Sequence, residues 1–413
     1  MVPRPVRGVT AAQTHSAVLD LVRSGGVVSR VELAEASGLT EASISRVVRQ
    51  LIADGLVAET GTGDRTGGKR RTLLQLNAGS RHAVGISLDF ARITYLVSDL
   101  GGTVVARLDA EGIGTARPGQ VVRRLASELD AVLATAAVDR TTLVGIGVAV
   151  AGRQDSAHHV LRKNPQAEDW ELFDIEDTLS DATGLPVVIE NDSTCAAIGE
   201  FWVGRIPASA DFATVYLATG FGLGLVTNGD VYRGSSSNVG EIGHLVLDVD
   251  GPPCWCGSQG CLEMLAAPAR MVEEAINDGL ADPLGLRGEP GTVRDDADRV
   301  ARAATAGEPG ARAVVARSAR YLSRALVSVT NLLDLDQIIL AGPGFAVAGE
   351  IYLERAREDL ERLSFVRAVH PTTVTLSRSS DISAALGAAS LVLHSRLTPH
   401  QTSSRLVLSA PVS

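Results

Sequence analysis

Three of the four cysteines fall within eight residues, at Cys254, Cys256 and Cys261, and His244 precedes the first of them by ten residues. One imidazole and three thiolates are the usual ligand set of a closed, tetrahedral zinc site. Such tight spacing in a chain without a secretion signal favours metal binding over disulfides. Four protein ligands leave no position for water, so we expect a structural zinc ion; the alternative is three buried free thiols.

A second group of polar side chains lies on a predicted helix near the N-terminus. The spacing from Ser29 to Leu51 is that of a helix-turn-helix, with Gly38 able to take the positive φ of the sharp turn. Short side chains at the start of the second helix let its backbone enter a major groove, where arginines reach bases or phosphates. The residues predicted to contact DNA here are Thr40, Ala42, Ser43, Ser45, Arg46 and Arg49.

Residues 59–76 contain two short apolar segments around a glycine-rich basic tip, which is the pattern of a β-hairpin wing. Arg65, Lys69 and Arg70 at the tip are suited to contact phosphates or the minor groove. Residues 1–80 carry ten Lys and Arg against seven Asp and Glu, whereas residues 81–413 carry a net charge of −13. We therefore predict a winged helix-turn-helix domain over 1–80 that binds a double-stranded DNA operator; the alternative is a small helical bundle with a solvated basic loop.

The rest of the chain contains an internal repeat. Two β-meanders begin about 130 residues apart, near Ala83 and near Thr214, and helical sequence follows each of them. This pattern predicts a duplicated α/β architecture with a cleft between two lobes, about 81–195 plus 384–397 and 196–383. Glycines at 220, 222 and 224 would let backbone N–H groups approach a phosphate. We expect a loop-rich insertion over 277–310 and a flexible tail over 398–413.

Composition excludes several classes of protein. Apolar residues make up 45% of the chain, which is too high for global disorder. The longest apolar run, Leu143 to Gly152, is about half the ~20 residues of a membrane span. The first residues lack the apolar stretch of a signal peptide. We therefore expect a cytoplasmic protein without membrane contact.

The segment Gly240-Glu241-Ile242-Gly243-His244 and the cysteines after it, together with Ile189-Glu190-Asn191-Asp192, closely resemble the ROK family of bacterial repressors, open reading frames and sugar kinases. The resemblance covers about residues 81–395 and implies a two-lobed, actin/hexokinase-like fold with a structural zinc site. The winged helix ahead of it resembles the repressor branch, which includes xylose-repressor and N-acetylglucosamine-repressor types.

The resemblance also implies a set of sugar-contacting positions. Asn191 and Asp192 match the family's Asn-Asp pair, in which the Asp of the kinases is the general base that deprotonates the attacking hydroxyl. Without the family, Asp192 reads equally well as a helix N-cap. The full implied sugar-binding set is Gly152, Arg153, Asn164, Asn191, Asp192, Glu241, His244 and Glu263.

Family kinases begin with Asp-x-Gly-Gly-Thr, whose glycines wrap the ATP phosphates, but here the stretch is Asp89-Phe90-Ala91-Arg92. This departure predicts a degraded phosphate loop and no enzymatic activity. The predicted function is a sugar-responsive repressor of carbohydrate genes, acting as a homodimer or homotetramer. One alternative is a ROK-type sugar kinase with a fused DNA-binding domain. The other is a regulator that answers to a protein partner or to no ligand.

Overall fold

A computed structural model describes residues 11–62, 71–155, 160–162, 170, 173–204, 206 and 210–397. Several predicted positions lie outside these residues, namely Arg65, Lys69, Arg70, Asn164 and the segment 398–413. No helix within the described ranges is both long enough and apolar enough to span a membrane.

The N-terminal unit consists of three helices and a small antiparallel sheet. Its elements are α1 (Ala11–Gly25), β1 (Val27–Ser29), α2 (Arg30–Ser37), α3 (Glu41–Ala53), β2 (Val57–Thr62) and β3 (Thr72–Leu76), with strand order β1-β3-β2. Ser29 and Glu32 form a capping box at the start of α2, and Gly38 ends that helix with φ of 69°. The turn therefore takes the positive φ that the sequence predicted at Gly38.

The first large sheet has the order β10-β7-β4-β5-β6. Strands β4, β5 and β6 form an antiparallel meander, and β7 and β10 continue the sheet in parallel from β4. Short strands β8 and β9 pair with each other beside it. The bounds are β4 (His82–Leu88), β5 (Arg92–Asp99), β6 (Val104–Glu111), α4 (Pro118–Ala136), β7 (Leu143–Val150), β8 (Arg153–Asp155), β9 (Val160–Arg162), α5 (Ile175–Thr183), β10 (Val187–Asn191) and α6 (Asp192–Val203).

The second large sheet repeats this arrangement in the order β13-β12-β11-β14-β15, again a meander followed by two parallel strands. The shared strand order is what a duplicated α/β unit produces. Its bounds are β11 (Phe212–Leu217), β12 (Phe221–Thr227), β13 (Asp230–Val231), β14 (Gln337–Ala341) and β15 (Thr373–Leu376). The associated helices are α7 (Leu262–Ala266), α8 (Pro268–Asn277), α9 (Ala281–Leu284), α10 (Val293–Thr305), α11 (Pro309–Leu333), α12 (Gly349–Leu363) and α13 (Ser383–Leu397).

Helix α10 corrects the expectation of a loop-rich insertion over 277–310. Charged residues dominate its sequence, but Val300, Ala301 and Ala304 recur at helical spacing and are buried. Asp296 is also fully buried. Its carboxylate accepts hydrogen bonds from Thr292 and from the backbone of Arg287 and Gly288, which offset the cost of burying it. A narrow apolar stripe and one satisfied acid are enough to hold this helix against its neighbours.

Helices α6 and α13 cross at backbone distance in the centre of the molecule. A Cβ on Gly387 would lie 1.6 Å from the carbonyl oxygen of Cys195, so only glycine fits at that point of α13. Helix α13 also packs on β4 and β7. Helix α6 therefore packs on the helix that lies against the first sheet.

Candidate functional site

The site is built around the junction between β10 and α6. Asn191 is the N-cap of α6, because its Oδ1 accepts hydrogen bonds from the backbone of Ser193 at 3.0 Å and Thr194 at 3.2 Å. Asp192 is the first helical residue, and the backbone N–H of Ser193 also donates to its Oδ1 at 2.8 Å. The structure therefore assigns the cap to Asn191 and leaves Asp192 facing other charged groups.

Asp192 is half-buried at this junction, and part of its surface reaches solvent. Burial, together with the nearby carboxylates of Asp89 and Glu241 and against the stabilising N–H of Ser193, raises the pKa of its carboxyl group to about 7. Tyr216 on β11 lies close to the same two aspartates and hydrogen-bonds Ser87, and burial raises the pKa of its phenol. Residues from both large sheets thus meet around Asp192.

Glu263 at the start of α7 provides a further carboxylate. Its Oε2 accepts a hydrogen bond from the backbone N–H of Phe221 at 3.1 Å. Burial, with a contribution from Glu241, raises the pKa of Glu263 to about 7. Two carboxyl groups with pKa values near neutrality can each donate or accept a hydrogen bond, which suits the recognition of a polyol.

Gly220, just before β12, and Gly222 within it allow close packing against this site. A Cβ on Gly220 would lie 2.4 Å from Oε1 of Glu263, and a Cβ on Gly222 would lie 2.7 Å from Cβ of Ser193. These positions face protein atoms rather than open space. Their contacts account for the absence of side chains without the phosphate that the sequence suggested.

His244, Cys254, Cys256 and Cys261 come together as predicted, with their ligand atoms all within 4.8 Å of one another. Tetrahedral zinc with Zn–S of about 2.3 Å and Zn–N of about 2.0 Å places two sulfurs about 3.8 Å apart, and a sulfur and a nitrogen about 3.6 Å apart. The Sγ atoms of Cys256 and Cys261 are 3.7 Å apart, and Nδ1 of His244 is 3.6 Å from Sγ of Cys254. The donor set and these two spacings therefore fit a metal ion.

The metal cluster lies between two of the cleft carboxylates along the chain. Glu241 precedes His244 by three residues, and Glu263 follows Cys261 by two. The backbone of Leu262 donates to the carbonyl of Leu245 at 2.9 Å, which ties the two ends of the segment together. A metal held here would fix both carboxylates relative to each other.

A family model described as the ROK family matches residues 84–395. The chain belongs to the ROK family. Among curated ROK-type relatives, a xylose repressor from Caldicellulosiruptor bescii is 24% identical over 92% of this chain and 95% of its own length. The DNA-binding transcriptional dual regulator NagC from Escherichia coli is 27% identical over 92% of both chains. A glucokinase from Halalkalibacterium halodurans is 30% identical over 66% of this chain and 83% of its own length.

The fold of this ROK protein is also found among solved structures. A ROK family transcriptional regulator described as a homolog of the E. coli Mlc protein superposes with a TM-score of 0.72 at 24% identity. That match covers 95% of this chain and 98% of the other. It shows that this chain has the α/β fold of the ROK regulators.

The remaining positions implied by the ROK resemblance are only partly described. Gly152 lies between β7 and β8 with φ of 103°. The backbone of Arg153 begins β8, but its side chain is outside the described atoms, as is all of Asn164. The structure therefore brings together Asn191, Asp192, Glu241, Glu263 and the metal cluster, and leaves the other implied contacts as predictions.

Sequence reasoning missed an ion pair directly behind the site. Glu190 is buried and accepts two hydrogen bonds from Arg233, at 2.9 and 3.1 Å, while its other oxygen accepts from the backbone of Asn191 at 2.9 Å. This contact links β10 to the segment after β13. The acid inside a buried strand was visible in the sequence, but its partner 43 residues away was not.

Proposed function

We propose that this protein is a sugar-responsive DNA-binding transcriptional regulator, and specifically a repressor of carbohydrate genes. The observation that carries the proposal is the presence, in one chain, of an N-terminal helical unit with an exposed polar face and a ROK domain in which several carboxylates come together. A relative named as a xylose repressor and one named as a DNA-binding transcriptional dual regulator each match over 92% of the chain, which supports the same combination.

The N-terminal unit is proposed to be a winged helix-turn-helix domain over about 1–80. Helices α2 and α3 with their glycine turn would form the helix-turn-helix, and β2 and β3 the wing. Thr40, Ala42, Arg46 and Arg49 are exposed, whereas Ser43 and Ser45 are half-buried. This exposed face of α3 is the surface that we assign to the major groove of an operator, which would place the protein in the cytoplasm.

The cleft is proposed to bind a sugar through Asn191, Asp192, Glu241 and Glu263. Carboxylates and amides from several elements match the ring of hydroxyls that a sugar presents. Structural zinc, held by His244 and the three cysteines, would order the segment that carries two of these carboxylates. Sugar binding would then shift the lobes, about 81–195 plus 384–397 and 196–383, and change the spacing of DNA-binding domains in a homodimer or homotetramer.

The decisive experiment uses the purified, zinc-loaded full-length protein. A thermal-shift screen against D-xylose, N-acetyl-D-glucosamine, D-glucose and their phosphates is followed by gel shifts with a duplex selected from random-sequence DNA. We expect one sugar to raise the melting temperature by mass action and the same sugar to change DNA affinity. A stabilising sugar without any effect on DNA binding, or no selected duplex at all, would contradict the proposal.

A ROK-type sugar kinase with a fused DNA-binding domain is the second candidate. The pKa of about 7 at Asp192 favours it, because a general base acts best with a pKa near the working pH. Against it, the N–H of Ala91, in the turn that would wrap phosphates, donates to Oδ1 of Asp89 at 3.1 Å. The side chains of Phe90 and Ala91 also fill a turn that the kinases build from glycine, which is why we propose a degraded phosphate loop. Sugar-dependent release of ADP from ATP would establish the kinase instead.

A further inference from the structure

Helix α1 of the N-terminal unit contacts the end of α6 through one arginine. Arg23 is only 7% exposed, and its Nη1 donates to the carbonyl oxygen of Trp202 at 2.6 Å. Its guanidinium carbon lies 4.4 Å from the ring centre of Trp202 and 5.5 Å from that of Phe201. An arginine is seldom buried unless it is paired in this way, and a cation at a helix C-terminus is favourable.

Helix α6 runs from the cleft to this contact. Its first turn holds Asn191 and Asp192, and its last turn holds Trp202, so at 1.5 Å per residue its 12 residues span about 18 Å. The crossing with α13 at Gly387 leaves α6 no room to bend in its middle. A displacement at the cleft end is therefore carried to the Trp202 end.

The far end of α6 has space on one side. A pocket there is lined by Ile198, Phe201, Trp202, Asp230 and His394, among others. The indole Nε1 of Trp202 is buried and finds no hydrogen-bond acceptor among the described residues. A buried donor without an acceptor is unfavourable, and a hydrogen bond to an acceptor would lower its free energy. The pocket gives the end of α6 space for a second position in which such a bond forms.

Helix α1 passes any such movement to α3. Val18, Leu19 and Val22 of α1 lie in the same buried cluster as Val47 and Val48 of α3. Close-packed interiors transmit displacement rather than absorb it. The helix that carries Arg46 and Arg49 is therefore mechanically connected to Arg23.

We propose that Arg23 is the positioning residue that couples the cleft to the N-terminal unit, by holding the end of the helix whose start binds the sugar. This inference rests on the proposed function, since it concerns how that cleft would control DNA binding. Sugar that favours one position of α6 would favour one position of α1, and through it one setting of α3. Linkage requires the reverse effect as well, so DNA would alter sugar affinity through the same contact.

The test compares wild type, Arg23→Gln and Arg140→Gln as full-length, zinc-loaded proteins. Arg140 is the matched control, because its Nη2 donates to the carbonyl of Thr183 at the end of α5, a contact wholly inside the ROK domain. The sugar is the one that stabilises wild type among D-xylose, N-acetyl-D-glucosamine and D-glucose, and the DNA is the selected duplex. Fluorescence anisotropy measures the DNA Kd with and without sugar, and calorimetry measures the sugar Kd with and without DNA.

We expect sugar to change the DNA Kd of wild type and of Arg140→Gln by a factor within about 5–150, the usual range of allosteric coupling. In Arg23→Gln the factor should fall below about 2 while the sugar Kd of the DNA-free protein stays close to wild type, and DNA should no longer alter the sugar Kd. An unchanged factor in Arg23→Gln overturns the inference alone. A wild type that binds sugar and DNA without coupling overturns the proposed function as well.

Hydrogen exchange gives a second readout that does not depend on the variant folding. Sugar alone should change the exchange rates of α1 amides in wild type, because Arg23, which contacts α6, lies in the last turn of α1. If sugar binds the wild type and leaves exchange in α1 unchanged, the inference is wrong whatever the variants do. Arg23→Lys, which keeps the cation and a donor but not the planar stacking, should retain part of the exchange response.

Discussion

Asp192 is the residue at which the charges of the cleft converge, so its removal tests the assignment most directly. Asp192→Ala should abolish the sugar response and leave affinity for DNA close to wild type, because the residue lies in α6 and away from α3. Asp139→Ala, at an exposed turn, is the control and should respond normally. The measurement is a gel shift across a sugar titration, and retained sugar sensitivity in Asp192→Ala would remove this residue from the site.

The same carboxyl group makes stability depend on pH. Burial raises the folded-state pKa of Asp192 to about 7 from its ordinary value of 3.8, so the folded state keeps its proton where the unfolded state loses it. Its contribution to stability therefore declines as pH rises from about 4 to about 7 and stays low above that. Asp192→Asn should raise the melting temperature relative to wild type more at pH 8 than at pH 5.

Asp139→Asn is the matched comparison for that experiment. The N–H of Thr141 lowers the pKa of Asp139, so neutralising this carboxyl group should give no gain at pH 8. Melting curves of the three proteins at both pH values provide the measurement. If Asp192→Asn raises the melting temperature equally at pH 5 and pH 8, the pKa of Asp192 is not raised in the folded protein.

The cysteine cluster makes a separate prediction about metal. Cys256→Ser should lower the zinc content far below one ion per chain. It should also weaken sugar binding, because the segment from Glu241 to Glu263 loses the metal ion that cross-links it. Cys195→Ala, at a buried cysteine on α6 outside the cluster, should keep its zinc. Elemental analysis and calorimetry provide the two readouts. Absence of zinc from the wild type would contradict this prediction first.

At the scale of elements, local patterns predicted one turn and the buried face of one helix in the N-terminal unit. The turn at Gly38 and the buried stripe of Ile44, Val47, Val48 and Leu51 are set by neighbours within one or two helical turns, so periodicity alone reveals them. Helix α10 was missed for the opposite reason, because its core face is short and its charged residues are numerous. The packing role of Gly220 and Gly222 could not be predicted, because their partners, Glu263 and Ser193, lie on other elements.

Helix α3 carries the prediction for DNA affinity. Arg46→Ala and Arg49→Ala should each weaken binding to the selected duplex by about 1–3 kcal/mol if the side chain contacts a base, or lower the salt dependence by about one ion if it contacts phosphate. Gln50→Ala is the control on the same helix, since Gln50 hydrogen-bonds Asp54 one turn on. Anisotropy titrations at several salt concentrations separate the two cases. Unchanged affinity and salt slope in both arginine variants would remove α3 from the interface.

At the scale of the whole molecule, the cleft could not be predicted from spacing. Asp89, Asp192 and the segment that carries Glu241 and Glu263 are far apart along the chain, and only the resemblance to the ROK family pointed to most of these carboxylates together. The contact between Arg23 and Trp202 spans 179 residues and had no signal in either local pattern. Such contacts depend on how helices and strands pack against one another in the folded protein. Periodicity and motif spacing do not contain that information.

One consequence of that docking concerns how the protein melts. Val18, Leu33 and Leu74 of the N-terminal unit share a buried cluster with Trp202 of α6 and Val392 of α13, so apolar packing continues from the unit into the ROK domain. Calorimetry should therefore show no separate, earlier transition for the N-terminal unit.

The shared cluster also predicts how sugar affects hydrogen exchange. Sugar at about 100 times its Kd stabilises the folded state by about 2.7 kcal/mol. Hydrogen exchange in the core of α3 should therefore slow together with that in α6. Arg140→Gln should melt in the same manner, since its contact lies away from the shared cluster. An N-terminal unit that melts first, with exchange in α3 indifferent to sugar, would show two independently stable bodies and a control of DNA binding that does not pass through this core.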